Sequence, residues 1–174
     1  RPPVRGPNLA GNRLGWPPLD RLVGARIDLV HSPTPLLVPS RAGKRVVTLH
    51  DLFFLKHPEL VEGEARRDFA TLVRDHVRRA DGVVCVSEYT ASEARRLLDV
   101  PPEKIAVTPH GVDASYRDTP PEEEVEEILR RLRLPRGGVL YVGSGEKRKN
   151  LVTLVMAYLT LARRRRLPPL VLAG

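Results

Sequence analysis

Gly138-Val139-Leu140-Tyr141-Val142-Gly143-Ser144-Gly145-Glu146-Lys147-Arg148-Lys149-Asn150-Leu151 passes from an apolar run through a glycine turn and three cations into an amphipathic stretch. That order predicts a buried strand, a loop and the start of a helix. It also predicts a place for a phosphate or diphosphate. Glycines let backbone N–H groups come close to an anion, and a helix aims its unpaired N–H groups and the positive end of its dipole at it. Lys149 stands just ahead of the first helical turn, where an ammonium pairs with a phosphate oxygen. Asn150 is a good N-cap. The G-x-x-x-x-G-K-[ST] spacing is absent, and Gly143-Ser144-Gly145 lacks the third glycine of a dinucleotide fingerprint. A solvated strand-to-helix turn with incidental charge remains the alternative at this point.

Working outward, the same rhythm recurs. Apolar runs at 27–31, 45–50, 82–86, 104–108, 139–143 and 170–173 read as short strands. Helical spacing separates most of them. Phe69, Leu72, Val73, Val77 and Ala80 share a face in 64–80. Ala94, Leu97 and Leu98 do so in 90–99, behind a capping box read at Thr90-Ala91-Ser92-Glu93. Val125, Ile128, Leu129 and Leu132 do so in 120–133, behind a cap read at Thr119-Pro120-Pro121-Glu122 with proline at the first helical position. Leu151, Leu154, Val155, Tyr158 and Ala162 complete the set in 151–164. Residues 1–24 read as irregular, anchored by Leu14, Trp16 and Leu19, with one short helix near 18–23. Alternating strands and helices predict an α/β fold with a parallel sheet covered on both faces. Ligands in such folds bind at the carboxyl ends of the strands. Those ends carry His31-Ser32, His50-Asp51, Ser87-Glu88, His110-Gly111 and Gly143-Ser144-Gly145.

Composition narrows the function. The chain has 174 residues, 41% hydrophobic and 29% charged, within the globular range. No apolar run approaches the ~18 residues that span a bilayer. One cysteine, Cys85, excludes an internal disulfide framework and a cysteine zinc cluster, and its apolar run predicts a buried, inert thiol. The net charge is +8, but arginine far outnumbers lysine and is spread along the chain. The dense cluster Arg163-Arg164-Arg165-Arg166 falls at a predicted helix end, where cations complement the dipole. Attraction to an anionic membrane is its functional alternative. Aromatic residues are 5% and do not interleave with the basic runs, so a stacking surface for nucleic acid is not expected.

Five strand-end segments together carry a resemblance. They are Asp28-Leu29-Val30-His31-Ser32-Pro33, Val46-Val47-Thr48-Leu49-His50-Asp51-Leu52, Ala80 to Thr90, Lys104 to Asp113, and Tyr141-Val142-Gly143 through Arg148-Lys149-Asn150. In this order and rough spacing the chain resembles the retaining glycosyltransferases of family 4, bacterial mannosyltransferase-type members above all. The resemblance implies a GT-B architecture of two Rossmann-like domains. On that basis 1–115 is the later part of an acceptor-side domain, 116–136 a linker and helix, and 137–174 the opening β-α-β piece of a nucleotide-sugar donor domain. A stretch of about 40 residues rarely closes a core alone. The sequence is therefore expected to be a piece of a longer protein, inactive by itself.

The resemblance also implies roles. His50 is the catalytic histidine near the transferred sugar. Asp51, Ser87, His110 and Gly111 lie on the acceptor or cleft side. Gly143, Ser144, Arg148, Lys149 and Asn150 hold the donor diphosphate. His110 stands where the family carries asparagine, and Ser144 where many members carry arginine. The reaction implied moves a sugar, mannose among the candidates, from a nucleotide-diphosphate sugar to a glycan, lipid or small-molecule acceptor. No cofactor and no metal are expected, because cations and helix dipoles offset the charge of the departing diphosphate. The expected location is cytoplasmic, with peripheral contact at the inner membrane face. A non-catalytic module for nucleic acid or anionic lipid is the competing function, and a GT-B epimerase or phosphorylase a third.

Overall fold

The computed structural model describes residues 18–41, 43–60 and 65–174, the side chains of 65–68 excepted. Leu14, Trp16 and the irregular stretch read around them lie outside the described residues. The chain forms two compact units, 1–111 and 112–174.

In the first unit, α1 (Leu19–Val23) leads to β1 (Leu29–Ser32) and β2 (Lys44–Leu49). A one-turn helix α2 (Phe53–Lys56), a 3-10 turn at Pro58–Leu60 and α3 (Ala65–Arg79) follow. Then come β3 (Gly82–Cys85), α4 (Glu88–Leu98) and β4 (Ile105–Val107). The strands form a four-stranded sheet in the order β1-β2-β3-β4, and every pair is parallel. Gly43 opens β2 at φ +80°; a Cβ there would sit 2.7 Å from the Ile27 carbonyl oxygen, so the turn accepts only glycine.

The register explains where the core lies. Ser32, Val47, Val83 and Ile105 stand side by side, as do Leu49, Cys85 and Val107, all on one face. Against that face pack Leu72, Val73 and Val77 of α3, Ala80 just after it, and Ala91 and Ala94 of α4. These are the apolar stripes that helical spacing assigned, with Ala91 added. Strands connected in sequential order place their crossovers on one side, because such connections are right-handed. The opposite face is less covered than expected. Leu29 there is 57% exposed, His31 and Ala106 are exposed, and Val46 and Val84 are half-buried. Cys85 is fully buried, and burial pushes its thiol pKa up.

The caps differ from the sequence reading in two places. α4 starts at Glu88, and its N-cap is Ser87, whose Oγ accepts the backbone N–H of Thr90 at 3.1 Å. The apparent capping box at Thr90 lies inside the helix. The next helix, α5 (Glu122–Leu132), has Pro121 at its N-cap with no side-chain hydrogen bond. Proline has no N–H and no side-chain acceptor, so Glu122, Glu123 and Glu124 in the first turn meet the dipole instead. Just ahead of the stretch read as linker and helix stands a 3-10 turn, Ala114–Tyr116, capped by Asp113, whose Oδ1 accepts the Ser115 N–H at 2.9 Å.

The second unit adds β5 (Val139–Val142), α6 (Leu151–Ala162) and β6 (Leu170–Ala173) to α5, with β5 and β6 paired in parallel. Among the described residues no helix is long and apolar enough to cross a membrane.

Candidate functional site

Because β1 to β4 run parallel, their carboxyl ends share one rim. Pro33 follows β1, His50 and Asp51 follow β2, Ser87 follows β3 by one residue, and His110 lies beyond β4. The rim brings His50 and His110 together. Nε2 of His110 lies 3.3 Å from Nδ1 of His50. The ring planes differ by 18° and the centroids are 5.3 Å apart. The two rings are thus nearly parallel and stacked at an offset, with one nitrogen of each in contact. The other nitrogen of His50, Nε2, lies 3.1 Å from the Pro33 carbonyl oxygen. The backbone carbonyl of His50 accepts from the Thr90 hydroxyl at 3.3 Å.

The other expected rim residues divide. Asp51 Oδ1 accepts the Phe53 N–H at 3.0 Å, the hydrogen bond of an Asx turn that starts α2. Ser87 is occupied by its cap and by a 3.0 Å contact with the Thr90 hydroxyl. Gly111 is exposed; a Cβ there would meet nothing within 4 Å, and its φ is not positive. Its backbone therefore does not demand glycine, and the space beside His110 stays open. His31 turns to Thr48, with Nε2 at 2.8 Å from the hydroxyl. His76 is buried, and its Nδ1 accepts the Leu37 N–H at 2.9 Å, a core role.

Sequence reasoning missed the Lys56 cluster beside the rim. Lys56 donates to the Tyr89 hydroxyl at 2.6 Å and pairs with Glu93 at 3.1 Å. Arg96 also pairs with Glu93. The Tyr89 hydrogen bond, then Glu93, raises the Lys56 pKa, and Lys56, with burial opposing and Arg96 adding, lowers that of Glu93. The cluster ties α2 to α4 and so steadies both turns of the rim. A lysine two positions before Pro58 gave no hint of it, because its partners lie more than thirty residues away.

In the second unit the glycine turn is built as a strand-to-helix loop. Gly143 takes φ +156°, and its N–H is spent on the Ala173 carbonyl at 2.8 Å. The Tyr141 hydroxyl folds the loop back by donating to the Ser144 carbonyl at 3.0 Å. Lys147–Lys149 form a 3-10 turn. Asn150 holds the N-cap position of α6, but at φ 52° its side chain caps no backbone N–H. Its Oδ1 accepts from the Thr153 hydroxyl instead, at 2.7 Å. That corrects the capping role read for Asn150. The N–H groups of Leu151 and Val152 meet no backbone acceptor among the described residues.

Glu146 is the second residue the sequence reading passed over. Its carboxylate accepts the Ser144 hydroxyl at 2.7 Å and the Arg148 Nε–H at 2.6 Å. The Ser144 hydrogen bond, then Arg148, holds its pKa below the usual carboxylate range, and the charge of Lys149 adds to this. Ser144 and Arg148 are thus already engaged by an anion of the chain's own. The signal was an acidic residue two positions before Arg148 in a run of cations. Among the described residues no three His, Cys, Asp or Glu side chains converge in a way that could hold a metal ion.

Comparison with known proteins places these features. The chain is 29% identical over 148 residues to O-antigen chain mannosyltransferase B of Escherichia coli. That match takes in 84% of this chain and 38% of the relative, so the chain spans well under half of the relative's length. The family model described as Glycosyltransferase Family 4 matches residues 1–116. With a parallel sheet whose strand ends carry the His50–His110 rim, and with that match over most of its length, the chain belongs to glycosyltransferase family 4.

Proposed function

We propose that the protein takes part in transfer of a sugar, with mannose the leading candidate, from a nucleotide-diphosphate donor to a glycan, lipid or small-molecule acceptor. The observation that carries this reading is the strand-end rim of the first unit, with its paired histidines, in a chain of this family. On this reading residues 1–115 supply the acceptor side and 137–174 open the donor side. Transfer keeps the anomeric configuration, and the 174 residues alone are inactive. The turn at 143–151 suits a diphosphate. Lys149, the N–H groups of Leu151 and Val152 and the α6 dipole all favour an anion there. Ser144 and Arg148 join when the diphosphate displaces or shares the Glu146 carboxylate. Countercharge on the departing group then comes from side chains and backbone, without a cofactor or metal. The exposed Arg163 to Arg166 run would serve a peripheral contact with an anionic membrane face in the cytoplasm.

The test uses the intact protein. Transfer and donor hydrolysis are measured across nucleotide sugars for wild type and Lys149→Ala. Loss of one charge-assisted contact raises the donor KM by roughly 10- to 100-fold. An unchanged donor KM removes Lys149 from the site, and absence of turnover with every nucleotide sugar removes the transferase reading itself. Binding of nucleic acid or anionic vesicles without any transfer would favour a non-catalytic module.

A further inference from the structure

The loop before α6 holds an anion of its own. Glu146 spreads its two carboxylate oxygens over two donors. Oε1 accepts the Ser144 hydroxyl at 2.7 Å, and Oε2 accepts the Arg148 Nε–H at 2.6 Å. Two oxygens of one anionic group thus fill two donors, as two oxygens of a phosphate would. The Ser144 hydroxyl has one proton. While Glu146 takes that proton, the Ser144 oxygen offers an incoming phosphate only lone pairs. The carboxylate is charged, because the Ser144 hydrogen bond, then Arg148, holds its pKa down. A ligand reaches it from solvent, since the side chains of Glu146 and Arg148 are 53% and 39% exposed. The carboxylate also leaves without undoing the turn. The backbone carbonyl of Glu146 accepts the Lys149 N–H at 2.9 Å, so the 3-10 turn at Lys147–Lys149 persists while the Glu146 side chain rotates away.

We propose, resting on the reading of this turn as a diphosphate site, that Glu146 is a built-in competitor for the diphosphate. Its carboxylate occupies Ser144 and Arg148 in the free protein, yields them to the ligand on binding, and takes them back as the nucleotide leaves. Lys147, Arg148 and Lys149 crowd three positive charges into one turn, and Glu146 offsets part of their mutual repulsion. The same offset weakens the hold of the turn on any anion. That matters most after transfer. Cleavage of the sugar bond leaves a terminal phosphate that ionises further near neutral pH, so the product is more negative than the donor. A turn of cations alone would retain the product more strongly than the donor. Glu146 counters that bias by refilling the two donors. A buttress that merely aims Arg148 at the ligand would have an effect of the opposite sign on affinity.

Calorimetry on the intact protein, with GDP, UDP and inorganic pyrophosphate as probes, compares wild type with Glu146→Gln. Glutamine keeps the size and one acceptor oxygen but removes the charge. The Kd of a probe that binds wild type is expected to fall about fivefold, the upper end for an exposed ion pair. Stopped-flow release of the bound nucleotide slows in step. In an Arg148→Ala background the gain from Glu146→Gln shrinks to about twofold or less, because one of the two blocked donors is gone. A gain that persists in full there reduces Glu146 to a general charge effect and overturns the displacement. An unchanged or raised Kd in Glu146→Gln overturns the inference while leaving the transferase reading intact, and a raised one makes Glu146 the buttress of Arg148. Should the variant fail to fold, wild type decides. The 13C resonance of the Glu146 carboxyl moves when nucleotide saturates the protein, since the carboxylate loses both donors. A stationary resonance overturns the proposal. If none of the probes binds wild type or variant, the diphosphate reading falls and the inference with it.

Discussion

Ser87 joins β3 to α4 through one hydroxyl. The residue is extended, at φ −158° and ψ 160°, and its Oγ takes the Thr90 N–H that no helical carbonyl reaches. The same oxygen touches the Thr90 hydroxyl, which in turn donates to the His50 carbonyl. A cap, a helix start and the rim histidine are therefore linked through two small side chains. Ser87→Ala is expected to destabilise the first unit by about 1 kcal/mol, the usual worth of an N-cap hydroxyl. Urea unfolding of wild type and variant checks it. A Ser87→Thr variant retains the oxygen and should recover most of the loss. An effect confined to KM, with stability unchanged, would instead return Ser87 to the substrate side.

Between elements, Asp81 ties the starts of two strands. It lies just before β3, and its carboxylate accepts the Arg45 N–H of β2 at 2.9 Å and pairs with Lys44 at 3.2 Å. The Arg45 backbone bond first, then Lys44, lowers its pKa. A carboxylate with a depressed folded pKa stabilises above its unfolded value. That stabilisation is lost as the pH falls through the folded one. The side chain is 34% exposed, so the pair is partly screened. Asp81→Asn is expected to cost roughly 0.5–1 kcal/mol at neutral pH and nothing below the lowered carboxylate range. Melting curves at neutral and acid pH measure that difference. A pH-independent gap would mean that shape, not charge, is what Asp81 contributes. At the opposite end of the same sheet the strands spread their polar residues into the rim, so one element set separates a structural end from a chemical one.

Across the molecule the two units are finished to different degrees. The first closes a core in which Val47, Leu49, Val73 and Cys85 are completely inaccessible. In the second, Val152 is 75% exposed, Val142 72% and Met156 59%, and no residue of α5, β5, α6 or β6 is buried. Exposed apolar area on this scale promotes association. The 174-residue chain is therefore expected to bind a hydrophobic dye and to self-associate with rising concentration. Val152→Glu with Met156→Glu should reduce both while leaving the first unit's unfolding transition in place. Light scattering and dye fluorescence read the first effect, and circular dichroism melting the second. Unchanged association in the double variant would place the sticky surface elsewhere.

Strand and helix positions were legible because periodicity and burial are local properties. Leu170–Ala173 came out with the boundaries read for it, and the 64–80 stripe of Leu72, Val73, Val77 and Ala80 is the stripe that packs. The parallel order of strands followed from the alternation of elements, and with it the expectation that the strand ends carry the chemistry. Caps were less legible, since Ser87 and Thr90 both offer a hydroxyl to the same turn and only backbone geometry chooses between them. The engagement of Ser144 and Arg148 by Glu146 lay in plain sight but depended on how the turn closes. The pairing of His50 with His110 spans 60 positions, and that of His50 with Pro33 spans 17. By itself, then, the sequence determined the elements, the core stripes and which rim would be polar, because each is set by neighbours within a few turns or strand residues. Only the tertiary structure decided that His50 meets both His110 and the Pro33 carbonyl. Protons are distributed by partners that folding alone brings within hydrogen-bonding distance.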